Sequence, residues 1–168
     1  MKKDNVDART LRAVNDDLMA LLRREDLSKL TMYDYHGFAK VRIPGEKLDP
    51  IAARHGADGQ DIQAEIVGVM CDLSREGHVH KNAWAYCTVL GAKEHFEQVR
   101  GGYVRKWNEW MPVKSGDVID IPPGTPHTFS VAPGGTLYFL SVQSPPIVDE
   151  HGEDDYYQIE HVPPPFEQ

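Results

Sequence analysis

The chain has 168 residues, 40% of them hydrophobic, which suits one domain with an ordinary core. Its formal charge of −8 and pI near 5.4 argue against a general attraction to nucleic acid or anionic membrane. No apolar run approaches the roughly 20 residues that span a bilayer, and Met1-Lys2-Lys3-Asp4-Asn5 leads into a charged segment without a signal core, so a cytoplasmic protein is expected. Two cysteines, Cys71 and Cys87, are too few for a disulfide scaffold and read as reduced thiols packed in strands.

In chain order, residues 7–24 read as an amphipathic helix. Leu11, Val14, Leu18, Leu21 and Leu22 recur at helical spacing, Asp7 suits the N-cap, and Arg23 and Arg24 suit the negative end of the dipole. This stripe is expected to lie on the outside of the main body, or to serve a partner subunit. From about residue 37 the pattern changes to short strands. Phe38 to Pro44 forms the first, 45–61 a loop or short helix, Ile66 to Leu73 a buried strand, and Trp84 to Leu90 another. Glu94 to Val99 and Tyr103 to Trp107 read as a hairpin turning at Gly101-Gly102. Lys114 to Asp117 is a turn and Val118 to Ile121 a strand. His127 to Val131 and Thr136 to Val142 follow, with a turn at Pro133-Gly134-Gly135. Trp107 and Trp110 are expected on the barrel exterior beneath a terminal segment, with an interface or lid as the alternative. The acidic, Pro-rich tail should wrap the surface. Many short strands punctuated by Gly and Pro indicate an all-β sandwich or barrel. The expected division is a helical extension over 1–36, a barrel over 37–148 and a tail over 149–168.

Within this framework the histidines are not scattered at random. Side chains alternate faces along a strand, so His78 and His80 aim at one point. His127 follows a Pro/Gly turn that can bring a third imidazole there. Three converging imidazoles suit a borderline divalent metal such as Zn, Fe, Ni or Cu. His36, His55, His151 and His161 lack motif context and read as surface or loop residues.

Two longer frames accompany these histidines. One is Gly77-His78-Val79-His80-Lys81-Asn82-Ala83-Trp84, closing at Gly91. The other is Gly116, then Pro122-Pro123-Gly124-Thr125-Pro126-His127. Together they resemble the two motifs of the cupin superfamily, over roughly residues 60–145. The resemblance implies a jelly-roll β-barrel with a metal inside one mouth, held by His78, His80 and His127. The packed, metal-free histidine cluster is the alternative. The chain departs from the family at Trp84, where the motif has a glutamate and an indole cannot bind a metal.

With three neutral imidazoles the formal charge of an M²⁺ site stays near about +2, which favours an anionic, chelating substrate. The pattern resembles three-histidine cupins such as the thiol and diketone-cleaving dioxygenases. That implies a non-haem Fe(II) dioxygenase, with Zn, Ni or Mn as alternative metals. Glu94 is a candidate fourth ligand or base if its strand face turns inward. Extending the His78/His80 face puts Trp84, Tyr86 and Thr88 inside the barrel, provided no bulge intervenes, with Phe129 closing another side. Tyr86 is then the candidate proton relay. Two other classes stay open: a Lewis-acid isomerase, lyase or cyclase, and a non-catalytic small-ligand-binding cupin. The expected partners are a small-molecule substrate and a second copy in a homodimer, with no nucleic acid and no membrane.

Overall fold

A computed structural model of the chain describes residues 5–22, 33–35, 38–69, 77–90, 99–148 and 152–168. The first helix, α1, spans Ala8–Leu22 and buries Leu11, Val14, Leu18 and Leu22, the stripe its periodicity requires. Asp7 caps it, its carboxylate accepting the Thr10 N–H at 2.7 Å, and that bond holds the Asp7 carboxyl below its ordinary range. A second helix, α2, covers Gly45–Arg54, so the ambiguous 45–61 stretch is a helix followed by a short 3-10 turn at Gly59–Asp61. No helix among the described residues is long and apolar enough to cross a membrane.

The strands are β1 Tyr33–Tyr35, β2 Phe38–Arg42, β3 Gln63–Val69, β4 His78–Val79, β5 Trp84–Leu90, β6 Arg100–Lys106, β7 Glu109–Pro112, β8 Val118–Ile121, β9 His127–Ser144 and β10 Tyr157–Gln158. They form two sheets that share β9. In the first the order is β1-β2-β3-β9-β5-β8, and in the second β10-β4-β9-β6-β7.

The middle of the first sheet, formed by β3, β5 and the second half of β9, is buried on both faces. Its outer face carries Ala64, Ile66, Tyr86, Leu90, Leu140 and Val142 against α1 and α2. Its inner face carries Val67, Val69, Ala85, Cys87, Val89, Leu137 and Phe139 against Phe129, Val131 and Val104 of the second sheet. Every residue of β3 is buried as a result, the state that a near-continuous apolar strand signals.

Three local expectations are corrected. The turn predicted at Gly101-Gly102 is strand, because β6 runs through both glycines. Gly101 adopts φ +65°, and the ladder with β9 shifts register there. A glycine in the left-handed region is what a bulge of this kind needs. The hairpin instead turns two residues beyond β6, at Trp107-Asn108, and pairs β6 with β7. Trp107 sits there with φ 57° and is 61% exposed, so it is not covered by a terminal segment. Trp110 is covered, its indole N–H donating to the Val162 carbonyl at 3.0 Å.

The turn predicted at Pro133-Gly134-Gly135 does not reverse the chain either. β9 continues in one direction, pairing Val131 with Gly102 and Thr136 with Arg100, while the residues between are extruded. Pro133 cannot donate to a ladder, which explains why this stretch leaves the sheet without ending the strand. The C-terminal segment also does more than wrap the surface: it adds β10 beside β4.

Candidate metal centre

His78 opens β4 and lies directly across from His127, the first residue of β9. His80 follows two residues later on the same face. The ligand atoms of the three imidazoles lie within 4.8 Å of one another, and all three residues are buried. Ring centroids are 4.2 Å apart for His78 and His127, 4.8 Å for His78 and His80, and 5.0 Å for His80 and His127.

Two of the rings are oriented by main-chain carbonyls. His127 Nδ1 is 2.8 Å from the Thr125 carbonyl, and His80 Nδ1 bonds the Asp155 carbonyl. A carbonyl only accepts, so Nδ1 carries the proton in both rings and Nε2 keeps its lone pair. Such outer partners set the tautomer a metal needs. The turn before His127 is held to the same strand pair, since the Gly124 N–H donates to the His80 carbonyl at 2.7 Å.

Burial disfavours protonation of His80 and His127. Desolvation pushes the His127 pKa down to about 3, helped by the neighbouring His80, and lowers that of His80. Neutral, desolvated, pre-oriented imidazoles are a donor set that fits a borderline divalent metal.

A pH dependence follows for the metal-free protein. Below the ordinary value of 6.5 the unfolded chain protonates His127, whereas the native state resists until about 3. Stability is therefore complete above about pH 6.5 and falls as pH drops toward 3, by about 1.4 kcal/mol per unit from this group. Denaturant melts at pH 7 and pH 5 measure it. Equal stability at the two values would contradict the burial of a neutral ring.

The segment from Asp154 to Val162 closes this mouth of the barrel. The Asp155 carboxylate accepts the N–H groups of Lys81, Asn82 and Ala83 at 2.7, 2.9 and 2.9 Å. Tyr156 stacks on His78, with centroids 4.4 Å apart and an interplanar angle of 19°. The Ile159 N–H donates to the Gly77 carbonyl at 2.8 Å. Arg105, 2% exposed, donates from Nη1 to the Glu160 carbonyl at 2.8 Å and from Nε to the Trp107 carbonyl at 2.7 Å. A Cβ on Gly77 would come within 2.6 Å of Arg105 Nη1 and 2.9 Å of Ile159 Cγ1. The glycine that opens the first motif thus admits both the arginine and the segment.

The cavity beside the histidines is lined by Lys40, Val67, Ala85, Cys87, Ile121, Phe129, Phe139, Ser141, Gln143, Ile147 and Tyr156. Phe129 stands where the alternation places it, stacked on Phe139 at 4.0 Å. The expected wall of Trp84, Tyr86 and Thr88 is on the other face of the sheet. Tyr86 packs into the layer under α1. The Thr88 hydroxyl donates to Asn15 Oδ1 at 2.6 Å, and the Trp84 indole N–H bonds the Asp120 carboxylate.

The cause is local. Asp155 takes up three consecutive N–H groups at 81–83, the chain bends there, and the alternation restarts in opposite phase. Ala85, Cys87 and Val89 then point inward, and the phenol of Tyr86 is not at the cavity. Glu94 lies outside the described residues, as do Cys71, His36 and His151. His55 pairs with Asp17 at 2.8 Å and His161 approaches Glu167 at 4.0 Å, both away from the cluster.

Sequence reasoning missed Lys40, Ser141, Gln143, Cys87 and Tyr156. Ser141 and Gln143 share the inward phase of β9 with Phe139, and alternation could have found them. Lys40 is 8% exposed and Glu65, behind it, 1%, with Nζ 3.0 Å from Glu65 Oε2. Cys87 is a free thiol that burial pushes up to about 12, so it stays protonated and is no thiolate ligand at neutral pH.

No known family profile matches the sequence, and no curated protein does. Solved structures do resemble the fold. The polyketide cyclase RemF from Streptomyces resistomycificus has a TM-score of 0.55 at 20% identity, over 86% of this chain and 89% of that one. A protein from Planctomyces limnophilus has 0.54 at 16%, over 79% and 93%. Pac13 from Streptomyces, described as a nucleoside dehydratase, has 0.51 at 14%, over 82% and 90%. With its two sheets, shared strand and buried histidine triplet, the chain has the cupin-type β-barrel fold.

Proposed function

We propose that this cupin-fold barrel is a metal-dependent enzyme. His78, His80 and His127 would hold one divalent transition metal, the last two through Nε2, and the substrate would be a small anionic molecule. The observation that carries the reading is the set of three buried imidazoles, two with Nδ1 committed to carbonyls. The ligand set includes no carboxylate among the described residues. Bound there, the metal would supply a strongly cationic Lewis acid, or with Fe(II) the redox chemistry of O₂. The chain's own part is to exclude water with Ile147, Phe129, Phe139 and Tyr156, and to hold the imidazoles neutral and aimed. Homodimer formation along the exposed edge strand β7, with Met111 on it and Trp107 beside it, belongs to the same proposal.

Non-haem Fe(II) dioxygenase chemistry is the first reaction to test, because three neutral ligands suit an anionic, chelating substrate. A Lewis-acid lyase or cyclase is the second reading, favoured by the similarity in fold to a cyclase and a dehydratase. Fold similarity alone does not choose between them. Protein purified without added metal should be analysed for its metal content. It should then be loaded with Fe(II) or Zn(II) and screened against small organic acids with and without O₂. Substrate-dependent oxygen uptake only with Fe(II) is the expected result. Turnover without O₂ would replace it with the second reading, and metal-dependent ligand binding with no turnover would leave a binding protein.

A further inference from the structure

We propose that the cavity contains a binding subsite, built from Gln143, Ser141 and Lys40, that selects small hydroxy acids over the acids lacking the hydroxyl. The idea deepens the metal-centre reading, on which it rests only for anchoring the acid. Recognition of the hydroxyl is a separate property.

Gln143 is 4% exposed and lines the same cavity as the three histidines. Its Nε2 donates to Ser141 Oγ at 2.6 Å. With the amide nitrogen engaged there, Oε1 is the acceptor that the amide has left to offer. Gln143 Oε1 is buried and has no hydrogen-bond partner among the described residues. Buried carbonyl oxygens nearly always have a donor, and leaving one without is costly. A ligand donor would complete it.

Lys40 gives the subsite its charge. It lies across from Val67 in the β2–β3 ladder and lines the cavity, with Glu65 behind it and outside the lining. Gln63 Nε2 donates to the other Glu65 oxygen at 2.5 Å, so the carboxylate that holds Lys40 is itself held. A buried ion pair of this kind is seldom more stable than apolar residues of similar volume, and Val67 and Val69 show that the barrel accepts apolar residues on this face. The presence of the pair here is explained if the ammonium is needed at the cavity.

An acceptor and a cation together define the ligand. Gln143 Oε1 requires a donor. A cationic metal site favours anionic oxygen, and the Lys40 ammonium, paired with Glu65, adds a positive group on the cavity side. An ammonium donor would be repelled by both, and a hydroxyl is the smallest neutral donor that a compact acid can carry. The size is limited as well. The cavity beside the histidines is small, about 40 Å³, and suits a ligand of a few heavy atoms.

The test compares L-lactate, propionate and alanine, which share a three-carbon acid skeleton. Affinities are measured by calorimetry on Zn(II)-loaded protein and by ligand-observed NMR on metal-free protein, where chelation by the hydroxyl cannot contribute. Lactate should bind at least about tenfold more tightly than propionate in both forms, and more tightly than alanine. Gln143→Met should bring the lactate-to-propionate ratio to within about twofold of unity, with metal content retained. Equal lactate and propionate affinities in the metal-free wild type overturn the proposal even if the variant fails to fold. So does a preference that survives in folded Gln143→Met, or alanine binding as tightly as lactate. Failure to take up zinc would overturn the metal centre instead, and the metal-free ratio would still judge the subsite.

Discussion

His127→Ala should empty the metal centre. His127 is 3% exposed and occupies the one position flanked by both β4 and β6, facing His78 on one side and Lys106 on the other. Among the described residues, only His78 and His80 share the cluster with it. The loss in metal affinity should exceed the 10- to 100-fold typical of removing an outer hydrogen-bond partner. A competition titration with a chromophoric chelator, together with elemental analysis of the purified variant, measures it. The metal-free variant should also melt earlier, since the Thr125 carbonyl loses its buried donor, at about 1–3 kcal/mol. It should also lose the share of acid sensitivity that His127 contributes. A variant that retains stoichiometric metal would show that the ion is held elsewhere.

Asp155→Ala should be the most damaging change outside the triplet. It leaves the carbonyl that orients His80 but removes the carboxylate that accepts three N–H groups at 81–83. Hydrogen bonds to a charged acceptor are worth about 1.5–3 kcal/mol each when sheltered. Because Lys81 and Asn82 are exposed, a total near 3 kcal/mol is expected. The bend that follows His80 would loosen, and the carbonyl anchored by that carboxylate would no longer hold the ring in place. Metal affinity should therefore fall by about 10- to 100-fold, with Asp155→Asn intermediate. Denaturant melts and the chelator titration separate the two effects. Unchanged metal affinity in a destabilised protein would make Asp155 a purely structural clamp.

How far the chain could be read in advance depended on how locally each feature was specified. The histidine motifs state their own geometry: a two-residue repeat for His78 and His80, and a rigid Pro/Gly turn for His127. The α1 stripe did so equally, through spacing alone. The pocket wall was different. Its prediction carried the phase of His78 and His80 through Lys81-Asn82-Ala83, and the bend there is imposed by Asp155, more than seventy residues away.

Lys40 misleads for a related reason. On a sheet with one wet face, Lys40 and Arg42 would mark the solvent side and Val41 the core. Here α1 and α2 cover the outer face, so Val41 packs outward into that layer, while Lys40 turns into the barrel. Gly101-Gly102 has the composition of a turn, and only pairing with β9 makes it a bulge. Tyr156 sits in an acidic stretch with no motif, and nothing before the fold assigns it a place on His78.

The shared strand has a kinetic consequence. β9 supplies a pairing edge to β3 and β5 in one sheet and to β4 and β6 in the other. Neither sheet can be completed until residues 127–144 are in place, and most of their partners lie far away in the chain. Loop closure must precede most of the stabilising contacts, which places folding in the slow, millisecond-to-second regime of non-local β topologies. It also ties the two halves of the barrel into one cooperative unit. Once β9 detaches, both sheets lose a central member, and the histidine cluster cannot outlast the barrel around it.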